Sequence, residues 1–137
     1  MTLSVSALAL AAMMTMNAAN GPAYNPSTAA AISGTVTAVK VIPAGQPLEG
    51  VHVTVKTKNN SEEVYLAPKQ FMNFLKTSYV PGDQIAVTGS RVKNGTADVI
   101  LAREVSDGVD TIELRDLYGA PVWENWGVEA DPAAVRY

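Results

Sequence analysis

PGDQIAVTGSRVKNGTADVILAREV, residues 81–105, is two β-rich runs joined at Asn94-Gly95. Asn-Gly supplies the two positive-φ residues of a type I′ turn, so the stretch predicts a tight hairpin in fixed register. Pro81-Gly82-Asp83 turns the chain into the first run, and Asp107-Gly108 turns it out of the second. Gly89 stands mid-strand where the apolar positions change parity between Val87 and Val92, which predicts a bulge at the glycine.

Upstream of the hairpin, Ile32–Ile42 (ISGTVTAVKVI) reads as a first strand. Its apolar positions Ile32, Val36 and Ala38 give way to Val39 and Val41, so a bulge or bend is expected near Ala38. Leu48–Thr57 alternates, with Val51, Val53 and Val55 facing one way and His52, Thr54 and Lys56 the other, as in a half-buried antiparallel strand. On that reading His52 is an ordinary surface residue. Glu62–Leu66 is a short third strand. Pro68 suits a first helical turn, and Phe71, Phe74 and Leu75 at i, i+3 and i+4 predict one apolar stripe that plugs the end of a barrel. After the hairpin, Val109–Asp116 is a further strand with Ile112 and Leu114 facing in, and Pro121–Trp126 lays two tryptophans against the fold. Three strands, a helix and two strands is the chain order of an OB barrel. The expected fold class is all-β: an OB-like antiparallel barrel of five to six strands with one short helix, preceded by an apolar N-terminal segment. The expected divisions are 1–31 leader and linker, 32–126 barrel and 127–137 tail.

Val64-Tyr65-Leu66-Ala67-Pro68, Val80-Pro81-Gly82-Asp83, Val87-Thr88-Gly89-Ser90, Ile100–Val105, Leu114-Arg115-Asp116 and Gly119-Ala120-Pro121-Val122-Trp123 together form a pattern, PGD…VTGS…AREV…LRDxxGxPxW. In it the chain resembles small exported bacterial OB-like domains, over Val64–Trp126. The resemblance implies the fold and an exported location; it brings no activity and no functional residues with it.

The whole chain has 137 residues, a net charge of −3 and no cysteine. Interspersed charge of acidic sign argues against a polyanionic partner such as nucleic acid. No Asp, Glu, Lys or Arg precedes Lys40, and exposed chain rarely avoids charge for so long. Leu3–Met16 is rich in Ala, Leu and Met, and Asn20-Gly21-Pro22 supplies a helix stop. Two readings stay open. One is a cleaved secretory signal peptide, although no Lys or Arg stands before the apolar run. The other is an assembly segment, with Leu3, Val5, Leu8, Leu10, Met13 and Met14, and Tyr24 beyond them, packing into neighbouring subunits. Gly21–Ala31 (GPAYNPSTAAA) reads as an extended linker outside the core.

Reaction chemistry is sparse. A single histidine offers no Ser–His–Asp triad and no zinc cluster, and the glycines are spaced as turn and bulge residues rather than as a phosphate loop. Asp107, Asp110, Glu113 and Asp116 crowd one region but lack a loop of alternating oxygen ligands, so they read as solvated acidic turns rather than a calcium site. Tyr118, Trp123 and Trp126 form either a docking surface for a sugar or protein, or a lid on the barrel. Asn59-Asn60-Ser61 and Asn94-Gly95-Thr96 match the N-glycosylation sequon. The expectation is a non-enzymatic, exported, cell-surface or periplasmic protein with no cofactor and no nucleic-acid partner, meeting the membrane only during export. It either self-assembles as a filament through its leader, with glycan as a further partner, or acts as a monomeric OB-like binding module.

Overall fold

The computed structural model describes residues 21–125. Six strands follow in chain order: β1 (Ala29–Ile42), β2 (Gly50–Lys56), β3 (Ser61–Ala67), β4 (Gln84–Asn94), β5 (Ala97–Ser106) and β6 (Thr111–Glu113). One helix, α1 (Lys69–Phe74), lies between β3 and β4. The sheet order is β3-β2-β1-β4-β5-β6, and a parallel pairing of β3 with β5 closes the ring. A three-strand meander, a helix and a hairpin that closes back in parallel is the OB barrel, so the expected fold class is the one adopted.

β1 serves both halves of the barrel. Ala29–Thr35 pairs with β4 and Thr35–Ile42 with β2, and the expected irregularity falls between Val36 and Ala38. An extra residue there bends the strand, which lets one strand serve two differently directed neighbours. β1 starts earlier than expected: Ala29–Ala31 of the supposed linker lie against the chain's own β4. Just before them, Asn25 donates its backbone N–H to Ser90 Oγ at 2.9 Å, and Thr28 Oγ1 meets the same hydroxyl at 2.8 Å. The segment is thereby tied across the barrel.

The β4–β5 hairpin is present with two corrections. Asn94 pairs with Ala97, so the loop is Gly95-Thr96, and Gly95 rather than Asn94 has positive φ, at 69°. Glycine at the first loop position is the type II′ pattern, not type I′. The register shift falls between Thr88 and Gly89, but the extra residue is Arg103 on β5, since Thr88 faces Glu104 and Gly89 faces Ala102. Gly89 instead permits close approach: a Cβ there would lie 2.2 Å from the Leu101 carbonyl oxygen. The bulged Arg103 carbonyl accepts from Leu114 N at 2.7 Å and Arg115 N at 3.2 Å, which ties the chain after β6 to β5.

The core is filled by the inward faces of the strands, among them Val36, Val53, Val55, Leu66, Val87, Ile100, Val105 and Leu114. α1 closes one end, but the expected stripe is corrected. Phe71 and Met72 are buried, whereas Phe74 is 61% exposed. A helix of only six residues docks through adjacent Phe71 and Met72 with Leu75 behind them. His52 is also corrected, being 1% exposed. The register shift between Val51 and His52 places its extra residue, Leu66, on β3, so His52 keeps the outer face of β2, and the β1–β2 loop folds over the ring. Its Nδ1 lies 2.7 Å from Glu63 Oε2 and its Nε2 2.8 Å from the Leu48 carbonyl oxygen.

Candidate functional site

The parallel seam is short, with Val64 opposite Ile100 and Tyr65 opposite Leu101. Adjacent residues of a strand point to opposite faces. Val64 and Ile100 enter the main core, while Tyr65 and Leu101 turn outward and join Leu48 and Val99 in a second, smaller cluster. Over that outer face lies a cleft of about 480 Å³. Three stretches distant in sequence wall it: Pro22–Tyr24, the β1–β2 loop with Gln46, Leu48 and Glu49, and the chain after β6 with Arg115, Gly119, Pro121 and Trp123.

Each wall has a local cause. After β6, Asp116 Oδ1 accepts from Tyr118 N and Ala120 N, both at 2.9 Å, and Arg115 bridges to Pro121. An aspartate that caps its own turn is a strong local signal, and this turn sends the short 3-10 helix Val122–Asn125 back over the seam. Gly119, at φ 97°, leaves room for Tyr24; a Cβ on it would fall 2.4 Å from the Tyr24 Cβ. In the β1–β2 loop, Leu48 holds a left-handed φ of 57°, and its carbonyl accepts from His52. The Tyr65 hydroxyl donates to the Glu49 carbonyl at 2.8 Å. The loop is therefore fixed from both sides.

Arg115 is the residue on which the site turns. It is 4% exposed, and its guanidinium carbon stands 4.8 Å from the Trp123 ring centroid and 5.3 Å from that of Tyr65. Nη1 donates to the Ala102 carbonyl oxygen, and no carboxylate pairs with Arg115 among the described residues. Guanidinium carries five N–H donors; the bond to Ala102 is its one side-chain hydrogen bond among the described residues, and the residue lines the cleft. Burial pulls the Arg115 pKa down to about 10, against the opposing influence of Tyr65 and Tyr24, so the group is charged at neutral pH. Burial likewise pushes Tyr65 up to about 12, with Arg115 lowering and Glu49 raising it. A cation held by one carbonyl and two ring faces is partly compensated, and an anion entering the cleft would complete its partners.

Of the residues singled out in the sequence, Tyr24 and Trp123 meet in this cleft. Tyr118 does not: it is 82% exposed at the tip of the preceding turn. Trp126 and the leader positions Leu3, Val5, Leu8, Leu10, Met13 and Met14 lie outside the described residues. Asn59 is exposed in the β2–β3 turn, while Asn94 is a half-buried strand residue paired with Ala97. Asp107 caps a turn as Asp116 does, accepting from Val109 N at 2.9 Å and Asp110 N at 2.8 Å, which holds its carboxyl below the usual range. No group of three or more His, Cys, Asp or Glu among the described residues is arranged to hold a metal ion. No helix among them is long and apolar enough to cross a membrane. Sequence reasoning missed Arg115 as a site residue; the available signal was a lone cation directly after inward-facing Leu114 in a strand that ends at a capped turn.

The magnetosome protein family MamS/MamX matches residues 28–112. The chain belongs to this family. The family match starts upstream of Val64, where the sequence resemblance begins, and stops before Arg115 and Trp123. Two cleft walls thus lie beyond the matched residues. A comparison with curated proteins gave no match. Among solved structures, the chain is similar to the crystal structure of the S. pombe Stn1-ten1 complex, with a TM-score of 0.47 and 15% identity over 64% of this chain and 71% of that one.

Proposed function

We propose that this member of the MamS/MamX family is a non-catalytic binding module acting at the magnetosome, with the cleft over the β3–β5 seam as its ligand seat. The observation that carries the reading is Arg115, a buried cation without an acidic partner among the described residues, set in the wall of a formed cleft. An unpaired buried charge is costly, and such groups concentrate where a protein binds or reacts. The rest of the cleft is aromatic and proline-rich, and its lining holds no Ser, Thr, Cys or His. The test is fractionation. A tagged full chain expressed in its source organism should be recovered with isolated magnetosomes, and Tyr24→Ala, which removes an outer wall packed on the smaller cluster and not on the main core, should reduce that recovery severalfold. Undiminished recovery of a folded Tyr24→Ala chain would contradict the cleft as the seat.

A second reading rests on a separate observation, the absence of charge before Lys40. It is self-assembly of an exported protein through the leader. Deleting residues 1–20 and comparing sedimentation with the full chain tests it: a smaller particle supports assembly, and an unchanged one opposes it.

A further inference from the structure

We infer that the group Arg115 receives is a single carboxylate carried on a flat apolar body, an inference that rests on the cleft being the ligand seat. The guanidinium is planar and presents paired N–H donors whose spacing matches the two oxygens of a carboxylate. The rings of Tyr65 and Trp123, at 5.3 and 4.8 Å, hold it in place, and Nη1 is anchored on Ala102. The fork is thus set before a ligand arrives, which lowers the ordering cost of binding.

Two features select the charge and the shape. The chain carries a net charge of −3, and Glu49 lines the same cleft. With Arg115 as the one cation of the lining and Glu49 as its one carboxylate, a monoanion is favoured over a phosphate dianion or a polyanionic strand, because an added negative charge finds no second cation and is repelled by Glu49. Beyond Arg115 the lining is largely apolar, with Tyr24, Leu48 and Pro121 beside the polar Gln46 and Glu49. Rigid rings and prolines offer flat contact at little entropic cost. The cleft volume of about 480 Å³ suits a ligand of small-molecule size or one residue of a peptide with its neighbours.

Nuclear magnetic resonance titration of the full chain tests the inference. Benzoate and benzamide share shape and differ in charge. Benzoate should shift the Trp123 indole and the Tyr24 and Tyr65 ring signals and bind about tenfold or more tightly than benzamide, as a charge-assisted pair requires. The preference should vanish in Arg115→Met. Acetyl-prolyl-glutamate amide and its glutamine counterpart form the second arm. If the glutamate peptide outbinds benzoate, the carboxylate belongs to a partner's acidic side chain; if benzoate outbinds it, to a free acid. Equal binding of acid and amide in the cleft would overturn the inference while leaving the cleft as the seat. Acid preference that survives in Arg115→Met, or no response of the cleft signals to either acid, would overturn it as well. Magnetosome recovery of Tyr24→Ala is read independently, so the two claims fail separately.

Discussion

Tyr79 is 8% exposed, and its hydroxyl makes no hydrogen bond within the described residues. Burial first, then the negative charges of Asp107 and Asp83, push its pKa from 10.0 up to about 12. Between those two values the unfolded chain has given up the proton and the folded chain has kept it. The unfolded state then binds fewer protons, so the stability contribution of Tyr79 is fully present below pH 10 and is lost as pH rises toward 12. Two pKa steps correspond to about 2–3 kcal/mol. Tyr79→Phe should therefore leave stability near neutrality almost unchanged and make the alkaline fall shallower by about 2 kcal/mol. Denaturant midpoints of both chains at the two ends of this window check it; parallel curves would show that Tyr79 is not the group. Single-residue environments of this kind were the least legible feature of the sequence. His52 reads as exposed because strict alternation assigns it to the outer face of β2. It does lie on that face, but the β1–β2 loop covers it, and the Leu48 carbonyl and Glu63 meet its nitrogens.

At the scale of elements, α1 is short, and its exit is well built except at one position. Lys76 N donates to the Asn73 carbonyl at 3.0 Å and Thr77 N to the Met72 carbonyl at 3.2 Å, the paired bonds of a Schellman ending. The residue in the left-handed position is Lys76, at φ 56°, where glycine is usual. Lys76 is exposed and makes no ion pair among the described residues, so its side chain contributes little. Lys76→Gly should raise stability by about 0.5–1 kcal/mol by relieving the left-handed strain, seen as a higher denaturant midpoint at unchanged slope. A fall would mean that glycine's added freedom in the unfolded chain outweighs the strain. The strands themselves were legible because their signals are local: the Val53/Val55 alternation, the bend near Ala38, and the hairpin around Gly95. The loop type and the strand carrying the bulge were not, since Asn94 is usable in two registers and a one-residue excess looks alike from either partner strand until the pairing is known.

For the molecule as a whole, the barrel and the cleft have separate origins. The barrel follows from apolar periodicity along contiguous stretches, which is why its chain order alone indicated the OB topology. The cleft gathers Tyr24, Leu48, Tyr65, Arg115 and Trp123 over the outside of a two-row parallel seam, and no periodicity marks residues that far apart. Trp123 and Tyr24 were singled out only as separate candidates, because nothing local says that Gly119 makes room for one beside the other. The residues of the proposed ligand seat are accordingly different from those of the main core. The main core holds Val64, Leu66, Ile100 and Leu114, whereas Arg115 stands outside it, contributing one carbonyl bond and two ring contacts against the cost of a buried charge. Replacing a buried charge by an apolar side chain of similar volume is often neutral or stabilising. The most direct measurement is therefore the denaturant unfolding of Arg115→Met beside the unaltered chain. If Arg115 is held for a ligand, the variant unfolds within about 1 kcal/mol of the original, or later. A loss of about 3 kcal/mol or more would make Arg115 a strut of the fold and contradict the account.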